Sequence, residues 1–378
     1  MISPSLCNTL SFNHADECDF RYFDIKSQLL RVGSPAREIL DSLGAFFYPY
    51  IESSDETYGP DQFYELTAVT APTLFDDLRA NLPDSPDDLI TTNLKHDLEY
   101  ELRCFFSESG ELTIIEDEPL KLFYVVFARG TKIVGTDGSR IRTGLLRIIR
   151  SAWMNEQDGL IVHSCVMEKH GNGIVIAGDK YSGKTTSLLQ LCTQKQYNLV
   201  ANDRCVLQFD ESNRLRALGV PTVVNLRPQT IKPFPDLQYL KASDLLGIHD
   251  LARELRVDAK SEVEVKALIF LTYDRACDRL SYRPLSDEEK CSIISSHLFS
   301  DREYDWVTLL KIGRGISDIQ DRVKSVRLSD VAAFQLTSNE NQLDERADLL
   351  DSWCQEKRWI EGHKVGQTSQ AASIRPKR

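Results

Sequence analysis

The sequence predicts an α/β protein with a strand-containing N-terminal region, and three consecutive segments support this prediction. The apolar run Gly173–Ala177 has the composition of a buried strand. A glycine-containing loop follows it, and Thr185–Cys192 then shows the spacing of a helix. A second apolar run, Tyr197–Ala201, predicts the next strand after a crossover of ordinary length. This order is typical of one unit of a layered α/β domain.

The N-terminal half contains strands of its own. Two β-rich runs, Leu122–Phe127 and Lys132–Val134, flank Arg129-Gly130, which predicts a hairpin with the glycine in its turn. Apolar residues of Ile141–Met154 recur at helical spacing, with Arg142, Arg147 and Arg150 between them. These arginines either reach a phosphate or lie on a solvated helix face, and the solvated face is the preferred interpretation.

Composition limits the class of protein. A net charge of −12 and a pI near 5.2 disfavour a nucleic-acid partner, because binding to the phosphate backbone relies on Lys and Arg. The chain has no apolar run of about 18 residues and no signal-like N-terminus, so we expect no membrane segment and a cytoplasmic location. The nine cysteines lack zinc-site spacing, which predicts reduced and mostly buried thiols.

One glycine-rich motif predicts a phosphate-binding site. The pattern Gly-x4-Gly-Lys-[Ser/Thr] forms a P-loop, because glycines let successive backbone N–H groups turn toward phosphate oxygens. The lysine adds positive charge, the hydroxyl is a magnesium ligand, and the following helix points its positive end at the anion. The sequence therefore predicts binding of ATP with Mg²⁺; the alternative is a glycine turn without a ligand. The predicted binding residues are Gly178, Asp179, Lys180, Tyr181, Ser182, Gly183, Lys184, Thr185 and Thr186.

A carboxylate follows the second predicted strand. Asp203 comes about twenty residues after Lys184, at the end of Tyr197–Ala201. P-loop enzymes commonly place a magnesium ligand or a water-positioning residue at such a strand end. Asp203 is therefore predicted to hold magnesium with Thr185, and the alternative is that it caps a turn or pairs with Arg204.

The runs His163–Thr186 and Asn198–Arg204 resemble the catalytic core of HPr kinase/phosphorylase. The resemblance implies an HPr-kinase-like core, similar to that of PEP carboxykinases, with a mixed sheet. It also implies that His163 approaches the transferred phosphoryl group, although a lone histidine is more often a core residue. The implied domains are an N-terminal α+β region over residues 1–140, a kinase domain over 141–360, and a disordered tail over 361–378.

The chain departs from this family at two places. Asn202 stands where the family has the aspartate that acts as a base, and a carboxamide has no useful proton affinity near neutral pH. Asn225 and Arg227 fall near the family's Glu-x-Arg-Gly segment, which implies that Arg227 contacts phosphate. Either Asp203 performs both tasks, another residue supplies the base, or the acceptor needs none. HPr itself is not the expected substrate.

Two function hypotheses remain. The first is an ATP-dependent kinase acting on a hydroxyl of a peptide or small metabolite, since HPr-kinase-like proteins include stand-alone kinases encoded beside peptide natural-product genes. The catalytic residues would be His163, Lys184, Asn202, Asp203 and Arg227. The second is a nucleotide-binding regulator or scaffold in which Asn202 marks impaired catalysis. The sequence leaves the oligomeric state open, with a homo-oligomer among the options.

Further elements are predicted beyond the motif. Glu264–Thr272 has the pattern of a buried strand, and Asp287–Leu298 and Leu328–Gln335 have helical spacing. The charged region Asp236–Ser261 is either a substrate lid or an exposed helix, and the exposed helix is preferred. The basic segment Lys364–Arg378 has the composition of a disordered tail.

Overall fold

The computed structural model describes most of the chain. The described residues are 18–26, 28–56, 58–59, 62–95, 98–242, 246–298, 305–310, 312, 328 and 331–355. They form two units. The first contains the described residues up to Gln157, the 3₁₀ segment Asp305–Leu310 and Ile312, and the second contains the other described residues from Asp158 onward. The predicted tail Lys364–Arg378 lies outside the described residues.

The first unit is built on a nine-stranded sheet. The strand order is β3-β1-β2-β4-β9-β8-β7-β6-β5, with β2, β4 and β9 parallel to one another and the other pairs antiparallel. Its strands are β1 (Asp19–Asp24), β2 (Leu29–Ser34), β3 (Ser53–Ser54), β4 (Phe63–Thr70), β5 (Asp88–Lys95), β6 (Leu98–Phe106), β7 (Thr113–Asp117), β8 (Leu122–Val126) and β9 (Gly130–Gly135). Its helices are α1 (Arg37–Phe47), α2 (Pro72–Asn81) and α3 (Gly138–Asn155).

The predicted hairpin over residues 122–134 is present. β8 and β9 pair antiparallel with Val126 opposite Thr131, and the Phe127 N–H donates to the Gly130 carbonyl at 2.8 Å. Every side chain of β8 is buried, which is typical of a strand that is covered on both faces of the sheet. Phe123 of this strand packs with Phe75 of α2 in the unit's core.

Helix α3 packs within the first unit, whose first segment extends to Gln157. The physical reason is its apolar stripe, including Leu145 and Ile148, which is fully buried there. Arg147 is also buried rather than solvated, since its Nη1 pairs with Asp117 at 2.7 Å and donates to Tyr100 Oη at 2.6 Å.

The second unit is built on an eight-stranded mixed sheet. Seven strands follow the order β11-β10-β13-β14-β15-β17-β16, and β12 pairs with β10 outside this path. Strand β15 is parallel to both β11 and β17. Its strands are β10 (Leu160–Lys169), β11 (Asn172–Ala177), β12 (Asn198–Ala201), β13 (Arg204–Phe209), β14 (Leu215–Gly219), β15 (Glu262–Tyr273), β16 (Ser281–Pro284) and β17 (Ala332–Ser338). Its helices are α4 (Lys184–Lys195), α5 (Pro228–Ile231), α6 (Ile248–Leu255), α7 (Asp287–Ser296) and α8 (Leu343–Gln355).

The remaining sequence predictions have mixed outcomes. The strand expected at Glu264–Thr272 is β15 and the helix expected at Asp287–Leu298 is α7, but Leu328–Gln335 overlaps strand β17 instead of a helix. Parallel pairing with β15 overrides the local helical spacing there. The preferred exposed helix within Asp236–Ser261 is α6, although its apolar face is buried.

Two expectations from composition can be compared with the described residues. Every cysteine described is a free thiol, and most are buried, as expected. Within the described ranges, no helix is both long and apolar enough to span a bilayer.

Candidate functional site

The sheet of the second unit brings distant segments to one edge. Strands β11, β15 and β17 are parallel, so their carboxyl ends meet there, and β12 runs in the same direction beside β10. His163 of β10 lies opposite Arg204, where β13 begins, and Ser164 lies opposite Ala177, where β11 ends. Ligands of α/β proteins usually bind at the carboxyl ends of strands.

The predicted P-loop segment connects β11 to α4 at this edge. Gly178 has φ +150°, and a Cβ there would stand 2.3 Å from the Leu271 carbonyl oxygen of β15. Gly183, the N-cap of α4, has φ +96°. Both positions therefore require glycine, one through steric contact and backbone conformation and the other through conformation alone.

Lys184 closes over this loop. Its side chain is buried, and Nζ donates to the carbonyl oxygens of Gly178 at 2.7 Å and Asp179 at 3.0 Å. Burial lowers the pKa of Lys184 below its usual value, while the nearby thiol of Cys165 and the carboxylates of Asp203 and Asp179 oppose that shift. Among the described residues, the hydrogen-bond acceptors of this ammonium are two main-chain carbonyls, which carry no net charge.

Thr185 contacts the asparagine that replaces the expected base. Thr185 Oγ1 donates to Asn202 Oδ1 at 3.2 Å, and Cys165 Sγ donates to the same oxygen at 3.5 Å. Burial raises the pKa of Cys165 to about 11, so the group is a neutral thiol at pH 7. Thr222 Oγ1 also donates to the Asn202 main-chain carbonyl at 2.8 Å. Asn202 is thus oriented by three donors.

Asp203 lies between two basic side chains. Its Oδ1 is 3.4 Å from His163 Nδ1, and its Oδ2 is 3.4 Å from Arg204 Nε. The Asp203 backbone has φ +92°, and its carbonyl accepts from the Ser164 N–H at 3.1 Å. The predicted alternative pairing with Arg204 therefore occurs together with the His163 contact. Strained backbone of this kind persists where surrounding contacts impose it.

Tyr181 and Arg227 come together at the rim of the loop. Tyr181 has φ +72° and is 73% exposed, and the Arg227 guanidinium carbon lies 4.7 Å from its ring centroid. Arg227 is the N-cap of α5, and its charge contributes to lowering the pKa of Lys184. Asn225, which the resemblance aligned beside it, is exposed.

The other predicted loop residues take different positions. Asp179 and Lys180 are exposed, with the Asp179 side chain 98% accessible, whereas Ser182 is buried. Ser182 Oγ makes no hydrogen bond to any described residue. Thr186 lies half-buried in the first turn of α4.

Two further residues lie at this edge. His297, directly after α7, accepts from the His163 N–H through its carbonyl oxygen at 2.9 Å, and its Nε2 lies 3.7 Å from Asp179 Oδ1. Arg346 of α8 lies next to Gly183. Neither belongs to a local motif, so only chain topology could have identified them.

Comparisons with known proteins give limited information. No protein-family model and no curated protein matches this chain. Among solved structures, the HPr(Ser) kinase/phosphatase from Coxiella burnetii is similar over 55% of this chain and 95% of its own, at 14% identity and a TM-score of 0.30. A likeness this weak carries no argument about function.

Proposed function

We propose that this chain binds a nucleoside triphosphate with Mg²⁺ at Gly178–Thr186 and transfers its γ-phosphoryl group to a hydroxyl. The observation that carries the proposal is the convergence at one sheet edge of the glycine loop, buried Lys184 and the His163–Asp203 pair. The acceptor class, a peptide or small metabolite, follows the sequence resemblance alone.

Phosphate binding would use groups that already surround the loop. The N-terminal N–H groups of α4 lack partners within the helix, and the helix dipole favours an anion there. Lys184 Nζ lies within hydrogen-bond distance of two loop carbonyls, and the ammonium would exchange these for phosphate oxygens. Arg227 adds a second cation near the loop.

The oxygen atoms beside the loop fit a magnesium ion. Thr185 Oγ1 and Asn202 Oδ1 are 3.2 Å apart, and neighbouring ligands of octahedral Mg²⁺, each at about 2.0–2.1 Å from the metal, are about 3 Å apart. Thr185 and Asn202 would hold the ion, with Asp203 as the predicted carboxylate ligand. The bound ion would neutralise charge on the phosphate oxygens.

The transfer step requires a site for one proton. The acceptor oxygen bonds to the γ-phosphorus as the bond from that phosphorus to the bridging β–γ oxygen breaks, and the nucleoside diphosphate leaves with the electron pair. The hydroxyl proton would pass to the His163 imidazole, and the Asp203 carboxylate, whose Oδ1 lies 3.4 Å from His163 Nδ1, would stabilise the imidazolium that forms. This pair would replace the base that Asn202 cannot supply.

A nucleotide-binding regulator is the second candidate function. It is favoured by Asn202, whose neutral amide accepts hydrogen bonds from Thr185 and Cys165 in the place where a carboxylate would act. This reading expects binding of nucleotide without transfer to any acceptor.

The test compares the wild type with Lys184→Ala and with a matched lysine variant on the same helix, Lys195→Ala. Thermal unfolding with ATP and MgCl₂ should show stabilisation of about 2.7 kcal/mol at 100 times the Kd for the wild type and Lys195→Ala. Lys184→Ala should lose most of it, because the cation beside the loop is absent.

Phosphoryl transfer is measured separately with γ-labelled ATP and a serine-containing peptide library. Label on an acceptor hydroxyl supports the kinase, and binding without transfer supports the regulator. A wild type that responds to neither ATP nor GTP would overturn both proposals.

A further inference from the structure

Arg346 is a buried arginine with incomplete hydrogen bonding. It lies in α8 and is 3% exposed. Its Nη1 donates to Ser338 Oγ, at the end of β17, at 3.0 Å. Nε and Nη2 are buried and make no hydrogen bond with any part of the chain that the structure describes. Since a guanidinium has five N–H donors, most of its donor capacity is unused.

The guanidinium lies beside the last glycine of the loop. A Cβ on Gly183 would stand 3.4 Å from Nη1 and 3.7 Å from Nη2 of Arg346, and 3.8 Å from the Leu271 side chain. Helix α8 packs along α4, where Asp344 Oδ1 accepts from Gln190 Nε2 at 2.7 Å. The position of Arg346 beside the loop is therefore set by packing between two helices.

Arg346 lies near the positive end of a helix. Gly183 marks the N-terminus of α4, where the helix dipole is positive, and the next residue is the buried Lys184. Burial lowers the pKa of Arg346 to about 10, and no described carboxylate forms an ion pair with it. Buried charges are normally paired, because desolvation of an isolated ion is strongly unfavourable. An anion would complete this site.

A purely structural role explains less of the geometry. Holding Ser338 uses only Nη1, and a neutral side chain could satisfy that serine without introducing a buried charge. The two unpartnered nitrogens, Nε and Nη2, remain unexplained by contacts within the described residues.

We propose that Arg346 is a phosphate-binding residue of the nucleotide site, and that Nε and Nη2 donate to non-bridging oxygens of a phosphate chain held at Gly183–Thr185. This inference rests on the proposed nucleotide binding and extends it to a residue of the C-terminal helix. A planar guanidinium binds phosphate through two parallel hydrogen bonds, which a lysine ammonium cannot reproduce.

The experiment measures the Kd of inorganic tripolyphosphate and of ATP with MgCl₂ by calorimetry, and the unfolding of the ligand-free protein by urea. The variants are Arg346→Met, Arg346→Lys and, as a control, Arg253→Met, which removes an arginine that is 65% exposed on α6. Arg346→Met should bind both ligands at least about tenfold more weakly. Arg346→Lys should bind more weakly than the wild type, and Arg253→Met should bind equally.

Stability without ligand separates binding from structure. Removing an unpaired buried charge should leave the ligand-free Arg346→Met protein as stable as the wild type or more stable. If Arg346 had a structural role instead, the ligand-free variant would be less stable than the wild type. Lower ligand-free stability with unchanged tripolyphosphate affinity would overturn the inference. If Arg346→Met does not fold, wild-type affinity in Arg346→Lys overturns it instead. A wild type that binds neither ligand would overturn the proposed function itself. This result differs from the one that overturns only the role of Arg346.

Discussion

Asn202 shows how one atom type changes the chemistry expected of a site. Its Oδ1 accepts from Thr185 and Cys165, and its backbone carbonyl accepts from Thr222, so its orientation is well determined. Asn202 is only 4% exposed. A carboxylate at this place would be both a base and a strong magnesium ligand, whereas the amide is only a weak ligand.

We expect Asn202→Asp to bind magnesium more tightly than the wild type. The new carboxylate would lie beside Thr185, and Mg²⁺ prefers charged oxygen ligands to amides. The Mg²⁺ concentration that gives half-maximal ATP-dependent stabilisation should fall by about tenfold, which corresponds to roughly 1.4 kcal/mol. A magnesium titration of the thermal shift at fixed ATP measures this.

The control for this substitution is Asn202→Ala. It removes the amide ligand, so it should raise the Mg²⁺ requirement relative to the wild type. Identical magnesium curves for all three proteins would show that position 202 does not face the metal.

At the scale of single elements, the first turn of α3 illustrates how a cap depends on pH. Asp137 accepts from the Arg140 N–H at 3.0 Å and pairs with Arg140 Nε at 2.9 Å. The backbone hydrogen bond from Arg140 lowers the pKa of Asp137, and the nearby guanidinium contributes. Ionised caps stabilise a helix N-terminus through hydrogen bonding and the helix dipole.

We expect the contribution of the Asp137 charge to disappear in acid. A carboxyl whose folded-state pKa is lowered stabilises the protein above its unfolded pKa of about 4, and the stabilisation is lost as pH falls through the folded value. Asp137→Asn should therefore be less stable than the wild type near neutral pH, and the difference should shrink toward about pH 3. Urea unfolding across this pH range measures the difference.

Asp137→Ala is the companion variant, because it removes the acceptor as well as the charge. It should be destabilised throughout the pH range, by about 1 kcal/mol as is typical of a lost N-cap. A gap between wild type and Asp137→Asn that stays constant with pH would contradict the assignment.

The predictions of individual elements depended on whether local pattern or long-range pairing dominates. The β8–β9 hairpin was predicted because its turn and β-rich runs are local features. β17 was predicted as part of a helix, since the apolar spacing of Leu328–Gln335 suits one, but parallel pairing with β15 makes it a strand. For Arg147 the sequence favours a solvated helix face, whereas the structure pairs it with Asp117, thirty residues away in the chain.

At the scale of the molecule, the two units have separate sheets and cores. A ligand stabilises the conformation that it binds, and hydrogen exchange slows where opening is suppressed. We expect ATP with MgCl₂ to slow amide exchange in β11, α4 and β12 of the second unit. The β8–β9 hairpin of the first unit should exchange at the same rate with and without nucleotide.

Mass spectrometry of deuterium uptake provides this measurement, with Lys184→Ala as the control that should lose most of the nucleotide-dependent protection. Protection confined to the first unit would contradict the location proposed for the nucleotide.

The sequence by itself predicted the phosphate-binding role of the glycine loop, Lys184 and Thr185, because a P-loop uses successive backbone N–H groups and is therefore contiguous in the chain. It also indicated Asp203 and His163 as candidates, through spacing and a family resemblance. Only the tertiary structure decided that Arg346 and His297 join them, since parallel pairing of β11, β15 and β17 brings those chain ends to one edge. Such pairing joins residues far apart in sequence, where no local pattern records the contact.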